Sequence, residues 1–377
     1  MIYLLCFALS GLFAALANRA QRRWRVILFS AISILLPVLL AGFRDFSIGT
    51  DTLNYLNQDY YWGGFMKEGS FSAYLDYYYA TGLREDLFPI YVGSIAALTG
   101  NFRVFLLISH LIIITGVYVG AFRFKHHAQP ELILLLFYLL YFNNSLNIMR
   151  QFMALAVVFA FFADLEKHEL LYYLRYFLVV AIMTQIHSIT MVFYVPGIFM
   201  LLLYSGKDRK PSVQIRTVIL CSFIILVTVF FKPLVNMILD TAILSGRYAY
   251  YFNHAGVGQM STVRLCLLLL ELGGILLLYR KLNEKNSCFH FYLLNFIAFF
   301  SMQLLAPSLY DGRRLTLYFA FANMVTIAML PPCLEKKWQR RLANITIICL
   351  ATAYWYRTYV LGNASETFPY LSVFSHG

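Results

Sequence analysis

The chain is built from apolar runs about a helix long, separated by short polar connections. The runs fall near 2–17, 26–43, 104–121, 131–147, 150–165, 171–186, 188–204, 217–231, 265–279, 288–306, 316–333 and 342–359. Crossing a bilayer takes about 20 mostly apolar residues. These runs therefore predict an all-α polytopic membrane protein with about twelve transmembrane helices, the shorter runs extending into their flanks. A further run, "LFPIYVGSIAALTG" at 87–100, is short and carries Pro89, Gly93 and Gly100.

The polar connections set the orientation. The first run, "MIYLLCFALSGLFAALANRA", resembles a signal peptide in its apolar core, but its positive charge follows the core (Arg19, Arg22, Arg23, Arg25). A signal peptide carries that charge in front. The segment reads as an uncleaved first span with its start outside. If 87–100 does not cross, the loops at 18–25, 122–130, 166–170, 205–216, 280–287 and 334–341 all lie inside and hold most of the lysine. If it crosses, every later basic loop moves outside, against the positive-inside rule. The run is accordingly expected to be a re-entrant or interfacial helix, which is tolerated where it is buried in protein or lines a cavity. The result is one integral membrane domain over 1–377. Both termini are outside, with long outer segments at 44–86 (plus re-entrant 87–100) and 232–264. No internal repeat is evident.

Composition supports this reading. Hydrophobic residues make up 60% of the chain and charged residues 13%, with mean hydropathy +0.68. A soluble domain has roughly twice that charged fraction. The net charge of +12 reflects orienting loops rather than nucleic-acid binding, since no basic soluble segment interleaved with aromatics exists. The six cysteines lie in or beside apolar runs, with spacing that fits neither a disulfide framework nor a zinc site.

The outer face is where chemistry is expected. Its basic residues are mostly arginine: Arg44, Arg84, Arg103, Arg150, Arg247, Arg264, Arg313, Arg314 and Arg357. Positive charge there opposes the topology bias, and the guanidinium fork matches phosphate in a bidentate way. The alternative is scattered ion pairs with Asp45, Asp51, Asp59, Asp76 or Asp86. That alternative is weakest for Arg150, whose own segment "NNSLNIMRQFMALA" offers no carboxylate. Aromatics crowd the same face: Tyr55, Tyr60, Tyr61, Trp62, Tyr74, Tyr77, Tyr78 and Tyr79, then Tyr248, Tyr250, Tyr251 and Phe252. Membrane-interface anchoring is their commoner role; a sugar-stacking surface is the other.

His187, in "MTQIHSITMVFYVP", sits at an outer helix junction and is a candidate general base, or else a residue bonded to local backbone. His126, His127 and His168 fall inside and read as solvated. His110 and Glu271 lie deep in apolar runs, where ionisable groups are costly and mark function or a partner. Glu271 is expected to be protonated or paired with His110, as a structural pair or in helix packing; a proton path is what a transporter would need. There is no Walker loop, HExxH, GxSxG or evident DxD pair. Any chemistry is expected to need no cofactor and no metal, with arginines holding substrate and one base activating it.

At this point "FRDFSIGTDTLNY" resembles the R-x(5)-GTD-x(3)-Y signature of EpsG-like, Wzy-type polysaccharide polymerases, through Arg44, Gly49, Thr50, Asp51 and Tyr55. "NIMRQFMALA" is similar to that family's IRQ-x-x-A helix start at Arg150, Gln151 and Ala154, with Met149 as a departure. "IHSITMVFYVP" looks like its His-Ser/Thr junction, "SGRYAYY" like an Arg-Tyr element at Arg247 and Tyr248, and "DGRRLTLYF" like an R-x-x-x-Y element at Arg313 or Arg314 with Tyr318. The order covers most of the chain.

The resemblance implies a GT-C-like fold and metal-independent, inverting glycosyl transfer. A glycan on undecaprenyl diphosphate would pass to the non-reducing end of a lipid-linked repeat unit, at the outer (periplasmic) face of a bacterial inner membrane. Arg150, His187 and Asp51 would be catalytic. Arg44, Gln151, Arg247, Tyr248, Arg313, Arg314, Tyr55 and Tyr318 would bind diphosphate or sugar. The lipid-linked oligosaccharide, the bilayer and a chain-length regulator would be the partners. An O-antigen ligase is the neighbouring alternative. A lipid-linked-oligosaccharide flippase or secondary transporter is the alternative of another class.

Overall fold

The computed structural model describes residues 2–59, 61–82, 85–204, 210–231, 260–308 and 312–376. Among these residues the protein is all-helical, apart from an isolated antiparallel bridge between Arg44 and Ser372. In chain order the α-helices are α1 (Ile2–Arg19), α2 (Arg23–Gly42), α3 (Thr50–Asn57), α4 (Trp62–Glu68), α5 (Phe71–Ala80), α6 (Leu87–Thr99), α7 (Phe102–Arg123), α8 (Pro130–Leu140), α9 (Phe142–Asn147), α10 (Met149–Phe162), α11 (Leu170–Thr184), α12 (Tyr194–Tyr204), α13 (Lys210–Val229), α14 (Thr262–Leu277), α15 (Tyr279–Lys285), α16 (Phe289–Leu305), α17 (Gly312–Cys333) and α18 (Lys337–Trp355).

Every apolar run read from the sequence is helical. Among the described residues, six stretches are long and apolar enough to cross a membrane: Ile2–Arg19, Arg23–Gly42, Phe102–Arg123, Ser212–Val229, Thr262–Lys285 and Gly312–Cys333. The protein is a helical membrane protein. Other apolar helices are shorter, Leu87–Thr99 and Pro130–Leu140 among them. The 13-residue α6 is roughly 20 Å long at 1.5 Å per residue, against a hydrocarbon core of about 30 Å.

The run at 131–147 is not one helix. It breaks after Leu140, where Tyr141 has φ −133 and ψ −17, and again at Ile148, with φ −91 and ψ 55. Asn143, Asn144 and Asn147 lie between the breaks. Asparagine side chains compete with the backbone for hydrogen bonds and favour turns over helix interiors. The segment 44–86, read from the sequence as an outer loop, is also largely helical among its described residues. It folds as α3, α4 and α5 over an aromatic interior in which Tyr55, Tyr61, Trp62, Tyr74 and Tyr78 are buried. That burial corrects the reading of those five rings as a sugar-stacking or interface surface. Tyr79 stays exposed.

The chain divides into two compact units, Met1–Met191 with Lys336–Gly377, and Val192–Glu335. In the first, α7 packs closely along α10. A Cβ on Gly116 would lie 2.6 Å from the carbonyl oxygen of Ala156, and Gly120 lies against Phe159. This small-xxx-small spacing lets two apolar helices approach where no hydrophobic force drives them together. His110, on α7, shares its Nδ1 with the Leu106 carbonyl at 2.9 Å. In the second unit, Glu271 accepts a hydrogen bond from Asn323 Nδ2 at 3.2 Å. Asn323 is thus a partner of Glu271 within its own unit.

Candidate functional site

Three chain segments meet near the start of α10. The first is Glu85 with the start of α6, where the N–H groups of Leu87 and Phe88 donate to the Gln185 carbonyl at 3.0 and 3.3 Å. This ties the start of α6 to the end of α11 and brings Glu85 beside His187. Glu85 Oε1 accepts the Ser188 backbone N–H at 2.8 Å. It also lies 3.6 Å from His187 Nδ1, an electrostatic contact too long for a formed hydrogen bond. Ser188 opens a 3-10 turn, Ser188–Phe193, that leads into α12. The carboxylate therefore sits at a helical N-terminus, where negative charge is favourable.

The second segment is the start of α10. Arg150 Nη1 pairs with Glu85 Oε2. Its guanidinium also stands over two rings, 5.3 Å from the centroid of Phe88 and 5.7 Å from that of Tyr61. The third segment is α3, whose Tyr55 hydroxyl lies 3.5 Å from the Arg150 backbone nitrogen. Tyr55, Tyr61 and Phe88 form one aromatic cluster with centroids 5.1 to 6.1 Å apart. The side chains of Arg150, Glu85 and His187 are 19, 9 and 11% exposed, so the cluster is largely withdrawn from solvent. Burial works against a charge on Glu85, but the His187 imidazole, the Arg150 guanidinium and the Ser188 N–H outweigh it and hold its carboxyl down at about 2.

The helix break supports this arrangement. Gly49 has φ +88, and a Cβ there would stand 3.1 Å from the Leu146 carbonyl oxygen; only glycine takes that backbone freely at that approach. Just past it, Thr50 Oγ1 and the Asp51 N–H both donate to Asn147 Oδ1, at 2.7 and 2.5 Å. Arg44 is 0% exposed. It donates to the carbonyls of Ala41 at 2.5 Å and Leu146 at 3.0 Å, and to Thr52 Oγ1 at 3.4 Å. From further along the chain, Trp355 Nε1 donates to Asn143 Oδ1 at 2.8 Å, Asn143 Nδ2 to Thr367 Oγ1 at 2.9 Å and Tyr359 to the Leu140 carbonyl at 2.8 Å. At the two broken helix ends the Leu140 and Leu146 carbonyls are met by the Tyr359 hydroxyl and the Arg44 guanidinium, while Asn143 and Asn147 are held through their side chains.

The sequence-expected residues therefore separate. Arg150, His187 and Tyr55 come together, with Gln151 buried beside Arg150. Asp51 sits half-buried in the first turn of α3, one turn from Tyr55 on the same face. Arg44, expected to line a substrate cavity, is instead a buried clamp between α2 and the helix break. In the other unit, Arg313 is exposed, Arg314 half-buried, and Tyr318 buried with its ring edge on Phe193 at 5.4 Å. Arg247 and Tyr248 lie outside the described residues. Glu85 was missed. It stands one residue from Asp86, which was weighed as an arginine partner, and its signal was an acidic residue at the mouth of an apolar helix.

The arrangement has the parts for acid–base chemistry beside bound anions: an imidazole, a carboxylate that stays charged, and an arginine with donors beyond its one paired nitrogen. The model of the EpsG family matches residues 27–372, and the chain belongs to that family. No curated protein and no solved structure matches it. Membership carries a polysaccharide-polymerase-type, glycosyltransferase-like function in polysaccharide biosynthesis.

Proposed function

We propose that this EpsG-family chain is a Wzy-type polysaccharide polymerase: a metal-independent, inverting glycosyltransferase of O-antigen or related surface-glycan assembly. The donor is a glycan on undecaprenyl diphosphate and the acceptor is the non-reducing end of a lipid-linked repeat unit. The reaction takes place at the outer face of the bacterial inner membrane, in a GT-C-like fold of about twelve crossings with both termini outside.

The observation that carries this reading is the convergence of Glu85, Arg150 and His187 in a chain of this family. Glu85 is ionised at neutral pH, so His187 Nδ1 keeps its proton towards it. That leaves Nε2 as the basic nitrogen, suited to take the proton from an acceptor hydroxyl. The acceptor oxygen attacks the anomeric carbon as the bond to the lipid diphosphate breaks, and the electron pair leaves with the diphosphate. Arg150 stabilises that developing charge from a fixed position, the kind of term that is often the largest in catalysis. Gln151 follows Arg150 in the chain, and Asp51 lies one turn before Tyr55 on α3.

The test is glycan gel profiling of a deletion strain complemented with the wild-type or Arg150→Lys gene. Deletion is expected to leave single repeats and no long chains. Lysine keeps the charge but loses the fork, so the Arg150→Lys strain is expected to resemble the deletion. Normal chain lengths in the deletion strain would refute the proposal. Loss of single repeats as well as chains would point to a ligase, and full function of Arg150→Lys to a transporter.

A further inference from the structure

Past the far end of α10 from Arg150, roughly 20 Å along a 14-residue helix, lies a second cluster that the glycosyl-transfer reading does not use. It sits where the charge pattern places the inner loops. His126 and His127 follow α7 in the turn "FKHHAQP", and Glu166 lies in the 3-10 helix Ala163–Lys167 after α10. His126 Nε2 is 3.2 Å from Glu166 Oε2, and His127 Nε2 is 3.4 Å from Glu166 Oε1. The three ligand atoms all lie within 4.8 Å of one another.

We propose that His126, His127 and Glu166 form a binding site for a transition-metal dication of the zinc class, clasping the two loops together. The donor set is two imidazole nitrogens and a carboxylate, which suits zinc and its neighbours; magnesium and calcium prefer all-oxygen sites. A tetrahedron with bonds of about 2.1 Å has edges of roughly 3.4 Å, and each imidazole Nε2 lies at about that distance from one of the two Glu166 oxygens, His126 at 3.2 Å from Oε2 and His127 at 3.4 Å from Oε1.

The ligands are also held before any ion arrives. The 124–128 turn is closed by the His127 and Ala128 N–H groups, which donate to the Phe124 carbonyl at 3.1 and 2.9 Å. The Phe124 ring packs on Phe159 of α10 at 5.8 Å. Two residues before Glu166, Asp164 is fully buried. It is bound by Arg123 from the end of α7, and by Arg175 Nε at 2.6 Å from α11. An ion pair therefore already joins the two ligand-bearing segments, the kind of support a metal site needs to hold its geometry. Access is also provided. The His127 and Glu166 side chains are 6 and 10% exposed, while that of His126 is 60% exposed, so an ion enters past His126 and the fourth position is left to water. Neither sequence spacing nor motif marks this site; the packing of α7 on α10 creates it.

The test is zinc titration of tag-free, chelator-stripped protein in detergent, read by calorimetry and by metal content after dialysis. The expected result is one Zn²⁺ per chain, none retained when Mg²⁺ alone is offered, and a rise in unfolding temperature on adding Zn²⁺. His126→Ala and Glu166→Gln should each weaken binding by about tenfold or more and abolish the rise. His126→Ala removes an exposed side chain, so its unfolding temperature in chelator should match that of the wild type. Absence of stoichiometric Zn²⁺ in the wild-type protein would overturn the proposal and leave the cluster a hydrogen-bonded ion network. Unchanged affinity in both variants would also overturn it.

Discussion

Glu85→Gln is the substitution that most directly probes the candidate site. It keeps the shape of the side chain and an oxygen for the Ser188 N–H, and removes only the charge. Arg150 then loses its counterion, and His187 loses the anion that holds its proton on Nδ1. The fall of the Glu85 carboxyl from 4.5 to about 2 corresponds to roughly 3 kcal/mol of preference for the ionised form in this setting. Removing one partner of a buried pair typically costs about 3–5 kcal/mol, so the two figures agree in size.

If that interaction serves the transition state through His187 and Arg150, roughly 3 kcal/mol is about two decades in rate. The assay is chain extension in proteoliposomes loaded with lipid-linked repeat units, with products resolved on gels over time. Glu85→Gln is expected to lower the turnover rate about 100-fold, with a much smaller change in the repeat-unit concentration needed for half-maximal rate. Glu85→Asp, which keeps the charge, should recover part of the loss. A folded Glu85→Gln protein extending chains within threefold of the wild-type rate would refute the assignment of Glu85 and His187 as a working pair.

The same carboxylate sets an acid limit. Its folded value of about 2 lies below the ordinary 4.5, so its stabilisation is fully present above about pH 4.5 and is lost as pH falls towards 2. Unfolding temperature in detergent should therefore drop over that window in the wild type, and drop less in Glu85→Gln. Arg44→Gln should lower stability by about 3 kcal/mol or more, because the carbonyls of Ala41 and Leu146 lose a charged donor in a fully buried place. A stable Arg44→Gln protein with only weakened substrate binding would restore Arg44 as a contact residue. Gly116→Val would push α7 off α10 at the Ala156 carbonyl, at a cost of about 1–3 kcal/mol, visible as reduced folded yield and unfolding temperature.

Helix existence was legible because lipid demands long apolar runs, and each such run is helical here. What length and hydropathy do not reveal is where a run breaks. Leu132 through Leu139 and Phe152 through Phe162 read as continuous helix, and only the intervening asparagines carry the interruption. Their partners, Trp355, Thr367 and the turn at Thr50, lie up to 224 residues away in the chain. Arg150 shows the same limit. The absence of a carboxylate in its own segment pointed to an arginine free for substrate, yet a guanidinium that is only 19% exposed needs a counterion from somewhere. Glu85 supplies it from 65 positions away.

The Gly-Thr-Asp signature gains a different meaning from this geometry. Gly49 turns the chain against the Leu146 carbonyl, Thr50 and Asp51 grip Asn147, and Arg44 holds Leu146 from behind. All of these contacts fall within four residues of Arg150. The most specific motif in the sequence therefore acts largely through a neighbour. It fixes the broken end of one helix so that the next begins with its arginine set between Glu85 and two aromatic rings. A diphosphate-stabilising arginine is only as effective as its position is fixed, so this reading accounts for a motif with a buried arginine and bonded turn residues better than direct contact with sugar does.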